Sequence, residues 1–272
     1  MSEVKLPADS IPSPRPLRSK PLVEAVFELH WQLETKEDET EVDPGFRILL
    51  GRFFDRVKGT YPAFVDLPVA QIPEAMVPRV VRHQFRAVKD GWPLVQLGPG
   101  ILSLNETAEY QWESFRSLLK RALSDLFSSY PTEVHIFKPT RIILRYINAI
   151  SSGFIDSQPP VLNFLRDQLH TRIEVEPKLF ESPESPEMAR LQLAYPLLKP
   201  RASGRLALAY GITSDPSSFL LEISIDSAKN AVPDSENGMM QWLDDAHDVV
   251  DKWFFGLIRG DLLTRFEDEH AG

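Results

Sequence analysis

Apolar side chains change their spacing several times along the first half of the chain. From Pro21 to Leu33 they alternate, with Val23, Ala25, Phe27, Leu29 and Trp31 on one side. Glu24, Glu28, His30 and Gln32 fall on the other, together with Val26. That two-residue period predicts a half-buried strand. An acidic stretch with Glu34, Glu37, Asp38, Glu39, Glu41 and Asp43 reads as a solvated connection. After Pro44 the spacing becomes three and four, through Phe46, Leu49, Leu50, Phe53, Phe54 and Val57, and predicts an amphipathic helix ending near Gly59. Residues 60–80 are broken by prolines and read as irregular. Val80–Val88, Pro93–Leu97 and Ile101–Asn105 read as strands, with a turn at Asp90-Gly91. The helical period returns over Glu109–Phe127, where Trp112, Phe115, Leu118, Leu119, Ala122 and Leu126 form a stripe.

The same order then recurs. Arg141–Ile150 reads as a strand and Pro160 to about His170 as a short helix. The segment from Glu181 to Glu187 reads as a surface loop. Ala189–Leu198, Gly204–Ile212 and Ser218–Ser227 read as three strands, with a turn at Asp215-Pro216. A long helix from Met239 to Leu263 closes the series. Trp242, Ala246, Val249, Val250, Trp253, Phe254, Leu257 and Ile258 share one face of it, and Asp244, Asp245, Asp248, Asp251 and Lys252 the other. Burying each large side chain of that face is worth roughly 1.5–3 kcal/mol, so the face needs a sheet or a second helix to cover it. Both long helices open on Gln-Trp preceded by an aromatic residue or Met. Strands in series with short turns pair antiparallel. The predicted fold is therefore α+β, with two similar halves, each strand–helix–strands–long helix, and antiparallel sheets carrying the long helices on one face. A Pro-rich arm spans 1–20, the first half 21–131 and the second 132–272, the halves forming one compact unit.

Composition narrows the function classes. With 43% hydrophobic and 25% charged residues, the chain has the make-up of an ordinary globular protein. No apolar run reaches the ~18 residues of a membrane span, and the first residues lack the apolar core of a secretory signal. No membrane contact is expected. The absence of cysteine excludes disulfides, thiolate metal sites and a cysteine nucleophile. A net charge of -9, with no strand interleaving basic and aromatic residues, gives no indication of nucleic-acid binding. The arm carries Pro7, Pro12, Pro14 and Pro16, then Arg15, Arg18 and Lys20. It reads as an extended tail, or as a segment that docks on another subunit or an acidic partner.

Lys20-Pro21-Leu22-Val23-Glu24-Ala25-Val26-Phe27-Glu28-Leu29 and, mid-chain, Leu144-Arg145-Tyr146-Ile147-Asn148 resemble the signature of a sporadically distributed, uncharacterised bacterial family of about this length. The resemblance spans nearly the whole chain. It implies a bacterial, cytoplasmic protein with an accessory or defence-associated role, and it carries over no catalytic residues.

Candidate chemistry is sparse. Gly98-Pro99-Gly100 lacks the remainder of a phosphate loop or dinucleotide fingerprint, and neither Gly-x-Ser-x-Gly nor His-Glu-x-x-His occurs. Asp244, His247, Asp248 and Asp251 stand at helical spacings that could gather metal ligands, although an acidic face opposite an apolar stripe gives the same pattern. Arg141, Arg145, Tyr146 and Asn148 lie on one strand and are the candidates for an anionic or small-molecule ligand. The arginines could equally pair with acids such as Glu24 and Glu28, which would put the two signature strands side by side at the centre. The expectation is a non-catalytic binding or interaction protein without a cofactor, as a homo-oligomer or with a protein partner. The alternative is a small-molecule or anion-binding protein, or an enzyme, with its site between sheet and helix.

Overall fold

The first strand, β1 (Leu22–Trp31), lies in the middle of one large antiparallel sheet. The structure, a computed structural model, describes residues 11–107, 109–151, 154, 160–176, 186–211 and 218–268. On one side of β1 follow β7 (Ile101–Glu106), β6 (Leu94–Gly98), β5 (His83–Arg86) and β4 (Ala63–Asp66). On the other follow β8 (Pro139–Ile150), β11 (Phe219–Ala228), β10 (Ala202–Tyr210) and β9 (Ala189–Leu197). The acidic stretch forms a separate small ribbon, β2 (Glu34–Thr35) with β3 (Glu41–Val42).

The helices are α1 (Phe46–Val57), α2 (Trp112–Ser129), α3 (Val161–Asp167), α4 (Glu236–Ile258) and α5 (Asp261–Glu267). The α+β class, the antiparallel pairing and the helices on one sheet face agree with the sequence. The core-facing row of β1 is Ala25, Phe27, Leu29 and Trp31, and that of β8 is Ile142, Leu144, Tyr146, Asn148 and Ile150. Against these rows pack Phe115, Leu119 and Leu126 of α2 and Trp242, Leu243, Ala246 and Val250 of α4.

Several boundaries differ from the pattern. Residues 63–66, inside the stretch read as irregular, form the edge strand β4, and short 3-10 turns at Pro68–Gln71 and Glu74–Met76 follow. Arg82, itself buried, staples these turns by donating from Nη1 to the carbonyls of Val69, Ala70 and Ile72. The last long helix stops at Ile258. Gly260 has φ 89°, a backbone conformation in which only glycine is at ease, and α5 starts afresh beyond it. Leu243 and Phe255 join the buried face of α4, while Trp253 and Phe254 are only half-buried. The turn at Asp215-Pro216 and residues 181–185 lie outside the described residues.

Asp43, read as part of a solvated connection, is buried, with 4% of its surface exposed. Its carboxylate accepts hydrogen bonds from Trp31 Nε1 (2.8 Å), the Gly45 amide (3.0 Å), the Gly100 amide (3.3 Å) and the Tyr130 hydroxyl (3.3 Å). Four separate segments meet on one side chain. The described part of the arm runs along the C-terminal helices of its own chain. The Arg18 and Ser19 amides donate to the Phe266 carbonyl, Arg15 pairs with Glu267, and Leu17 packs on the core.

Candidate functional site

Strand β8 presents two rows of side chains with different surroundings. Arg141 and Arg145 point to the sheet face away from the long helices. Arg141 donates to both oxygens of Asp226 (3.0 and 2.6 Å), which also receives Arg205 (3.2 Å). Arg145 donates to Glu28 (3.1 Å). Glu28 is held below the usual carboxylate range, first by its hydrogen bond with His30 and then by the charges of His30, Arg145 and Arg141. Glu24 takes Asn105 Nδ2 (2.7 Å) rather than an arginine. The two signature strands are adjacent, with Val26 opposite Arg145 and Glu28 opposite Ile143. Both arginines are thus committed to carboxylates, and they do not meet Tyr146 and Asn148 at one site, because successive residues of a strand face opposite ways.

Tyr146 and Asn148 point instead beneath the helices, into a cavity of about 300 Å³. The cavity lies where the arm, the start of α2, β8 and α4 come together. Pro14, Pro16 and Leu17 of the arm and Leu22 at the start of β1 form one wall, and Phe254 and Phe255 another. The polar lining is a row of neighbouring groups. The Tyr110 and Tyr146 hydroxyls are 2.6 Å apart, Tyr146 Oη is 3.2 Å from His247 Nδ1, and His247 Nε2 is 3.5 Å from Asp251 Oδ2. The Trp112 indole stacks on the imidazole at 3.9 Å between ring centroids and 18° between planes. Lys20 Nζ donates to the Tyr110 carbonyl (2.7 Å).

The local sequence explains the placement. Tyr110 lies in the turn before α2, its amide donating to the Thr107 carbonyl, and Trp112 is the first residue of the helix. His247 and Asp251, one helical turn apart on α4, face the same side. The helix-spaced quartet proposed for a metal divides. Asp244 is gripped by Arg116 of α2 (2.5 and 2.8 Å), Asp248 is exposed, and only His247 and Asp251 reach the cavity. Among the described residues no group of three or more His, Asp or Glu side chains is placed to hold a metal ion.

Burial dominates the electrostatics. It pushes His247 down to about 4, against the pull of Glu113 and Asp244. It pushes Asp251 up to about 7, helped by the like charges of Asp248 and Glu113. Burial raises both tyrosines, and in Tyr146 the neighbouring Tyr110 adds to the effect. It lowers Lys20. His247 is therefore a neutral imidazole at neutral pH, and Asp251 gains or loses its proton near pH 7.

The sequence pattern singled out Tyr146, Asn148, His247 and Asp251, but in two unrelated groups. It missed Lys20, Tyr110, Trp112 and Glu113 as site residues. The available signal was the Tyr110-Gln111-Trp112 triplet, which matches Met240-Gln241-Trp242. No protein-family model matches the chain, and no curated protein is significantly similar to it.

Proposed function

We propose that this is a small-molecule-binding protein whose ligand occupies the cavity between the arm, β8, α2 and α4. One observation carries the reading: an aromatic cavity of about 300 Å³ is lined by a hydrogen-bonded Tyr110–Tyr146–His247 row with Asp251 beside it. Small-molecule sites combine concave apolar walls with a few convergent polar groups, and perturbed titration in a cleft is a mark of such sites. The paired state of Arg141 and Arg145 argues against an anion site on the other face. The test is ligand-dependent stabilisation. A bound compound should raise the unfolding temperature of the protein and lose that effect in Val250→Trp, because Val250 is buried in the cavity wall. A compound that stabilises both proteins equally binds elsewhere.

The interaction reading keeps one observation in its favour. Strand β9 sits at the end of the sheet with one edge unpaired among the described residues, and Leu198 just beyond it is 99% exposed. Edges of that kind invite pairing. A dimer in sedimentation, abolished by Leu193→Lys on β9, would support it, and a monomer at high concentration would remove it. The strand order, which runs outward from the β1–β8 pair in matching sequence on both sides, supports the duplication reading. A bacterial accessory role remains part of the same proposal.

A further inference from the structure

We infer, building on the cavity reading above, that the ligand is a compact zwitterion of the α-amino-acid type with an apolar side chain. Its ammonium would lie against Asp251 and Glu113, its carboxylate against Lys20, and its side chain among Trp112, Phe254 and Phe255.

The argument rests on charges left uncompensated within one cavity. Asp251 has no lysine or arginine within ion-pair distance among the described residues, and His247, its one close partner, is neutral. The groups facing Asp251 are Asp248 on its own helix, Glu113 from α2, and the uncharged Tyr110 and Tyr146. A carboxylate in such surroundings is costly unless a cation joins it. Lys20 presents the opposite case. Its half-buried ammonium meets a backbone carbonyl, and no carboxylate among the described residues lies within ion-pair distance of it, Asp251 included. Both charges line the same cavity, together with Asn148. A monovalent amine would leave Lys20 uncompensated, and a carboxylic acid would leave Asp251 uncompensated. A zwitterion satisfies both. The volume, about 300 Å³, is near the small end of the range for ligand sites and suits a compact ligand. The aromatic faces of Tyr110, Trp112 and Phe254 accept either an ammonium or a hydrocarbon side chain.

The experiment is titration calorimetry on the full chain with four probes: L-phenylalanine, phenethylamine, 3-phenylpropionate and indole. L-phenylalanine is expected to bind at least about tenfold more tightly than either singly charged analogue, the usual worth of one charge-assisted contact. Asp251→Asn should erase the advantage over 3-phenylpropionate, and Lys20→Met the advantage over phenethylamine. Circular dichroism of both variants separates loss of binding from loss of fold. If phenethylamine or 3-phenylpropionate binds as tightly as the amino acid, the zwitterion inference is overturned. If indole alone binds, competing with nothing charged and lost in Val250→Trp, the inference fails while the cavity reading stands. If all four fail, both fall.

Discussion

Asp251 gives the sharpest test of the electrostatics around the cavity. Its ordinary value of 3.8 rises to about 7 in the folded protein. An acid raised in this way holds a proton in the folded state that the unfolded chain has already lost. Its contribution to stability therefore declines as pH rises from about 4 to about 7 and stays lost above. His247 works in the opposite direction. Its ordinary 6.5 falls to about 4, so its contribution improves as pH rises through the same interval, and below pH 6.5 the two largely offset. Above pH 7 the Asp251 penalty stands alone. Three units correspond to about 4 kcal/mol at 1.36 kcal/mol per unit. A quarter of the side chain, 26%, meets solvent, which screens the penalty to about 1–3 kcal/mol. Asp251→Asn keeps the shape and removes the charge. Urea unfolding followed by circular dichroism should show the variant more stable than the parent by about 1–3 kcal/mol at pH 8, with the difference shrinking as pH falls and vanishing below about pH 4. A variant less stable than the parent at pH 8 would refute the reasoning, as would a difference independent of pH. A stability cost concentrated on one cavity carboxylate is the trade expected where a binding site is kept at the expense of the fold.

Other predictions follow from the packing. Asp43→Ala should cost at least about 3 kcal/mol in denaturant unfolding, because four donors lose their acceptor in the interior; a loss below 1 kcal/mol would mean that water replaces the carboxylate. Tyr146→Phe should cost about 1–2 kcal/mol, since Tyr110 and His247 both lose a buried partner, measured the same way. Gly51→Ala, in the interior of α1 with nothing within 4 Å of the added carbon, should stabilise by about 0.5–1 kcal/mol. Gly98→Ala should destabilise by about 1–3 kcal/mol, because its Cβ would stand 2.1 Å from the Val80 carbonyl oxygen; thermal scans of the two alanine variants should move in opposite directions.

What the residue pattern revealed, and what it concealed, follows from the range of the interactions. Alternation along Val23–Trp31 and Arg141–Ile150 is a local property, and it identified both central strands and, for the first of them, the face it buries. The periods of Trp112–Leu126 and Trp242–Ile258 likewise marked the two long helices. The break at Gly260 was hidden because the apolar spacing continues into Leu262 and Leu263, both buried in α5. The site was half legible. His247 and Asp251 were flagged by helical spacing, yet spacing cannot show that Arg116, more than a hundred residues earlier, takes Asp244 away from them, or that Trp112 covers the imidazole. Tyr146 and Asn148 were flagged by their strand, but grouped with two arginines that face the other way. Lys20 read as one charge of a basic arm, and Asp43 as one acid among six. Their roles are set by partners distant in sequence, and neither carries a local mark that separates it from its neighbours.

The central claim, a ligand cavity closed by the arm, is met most directly by native mass spectrometry of the protein as purified, beside Val250→Trp. The account predicts a retained small molecule, or an adduct with added L-phenylalanine, on the parent protein and none on the variant. Identical spectra for the two proteins, whether both bare or both carrying the same adduct, would contradict it.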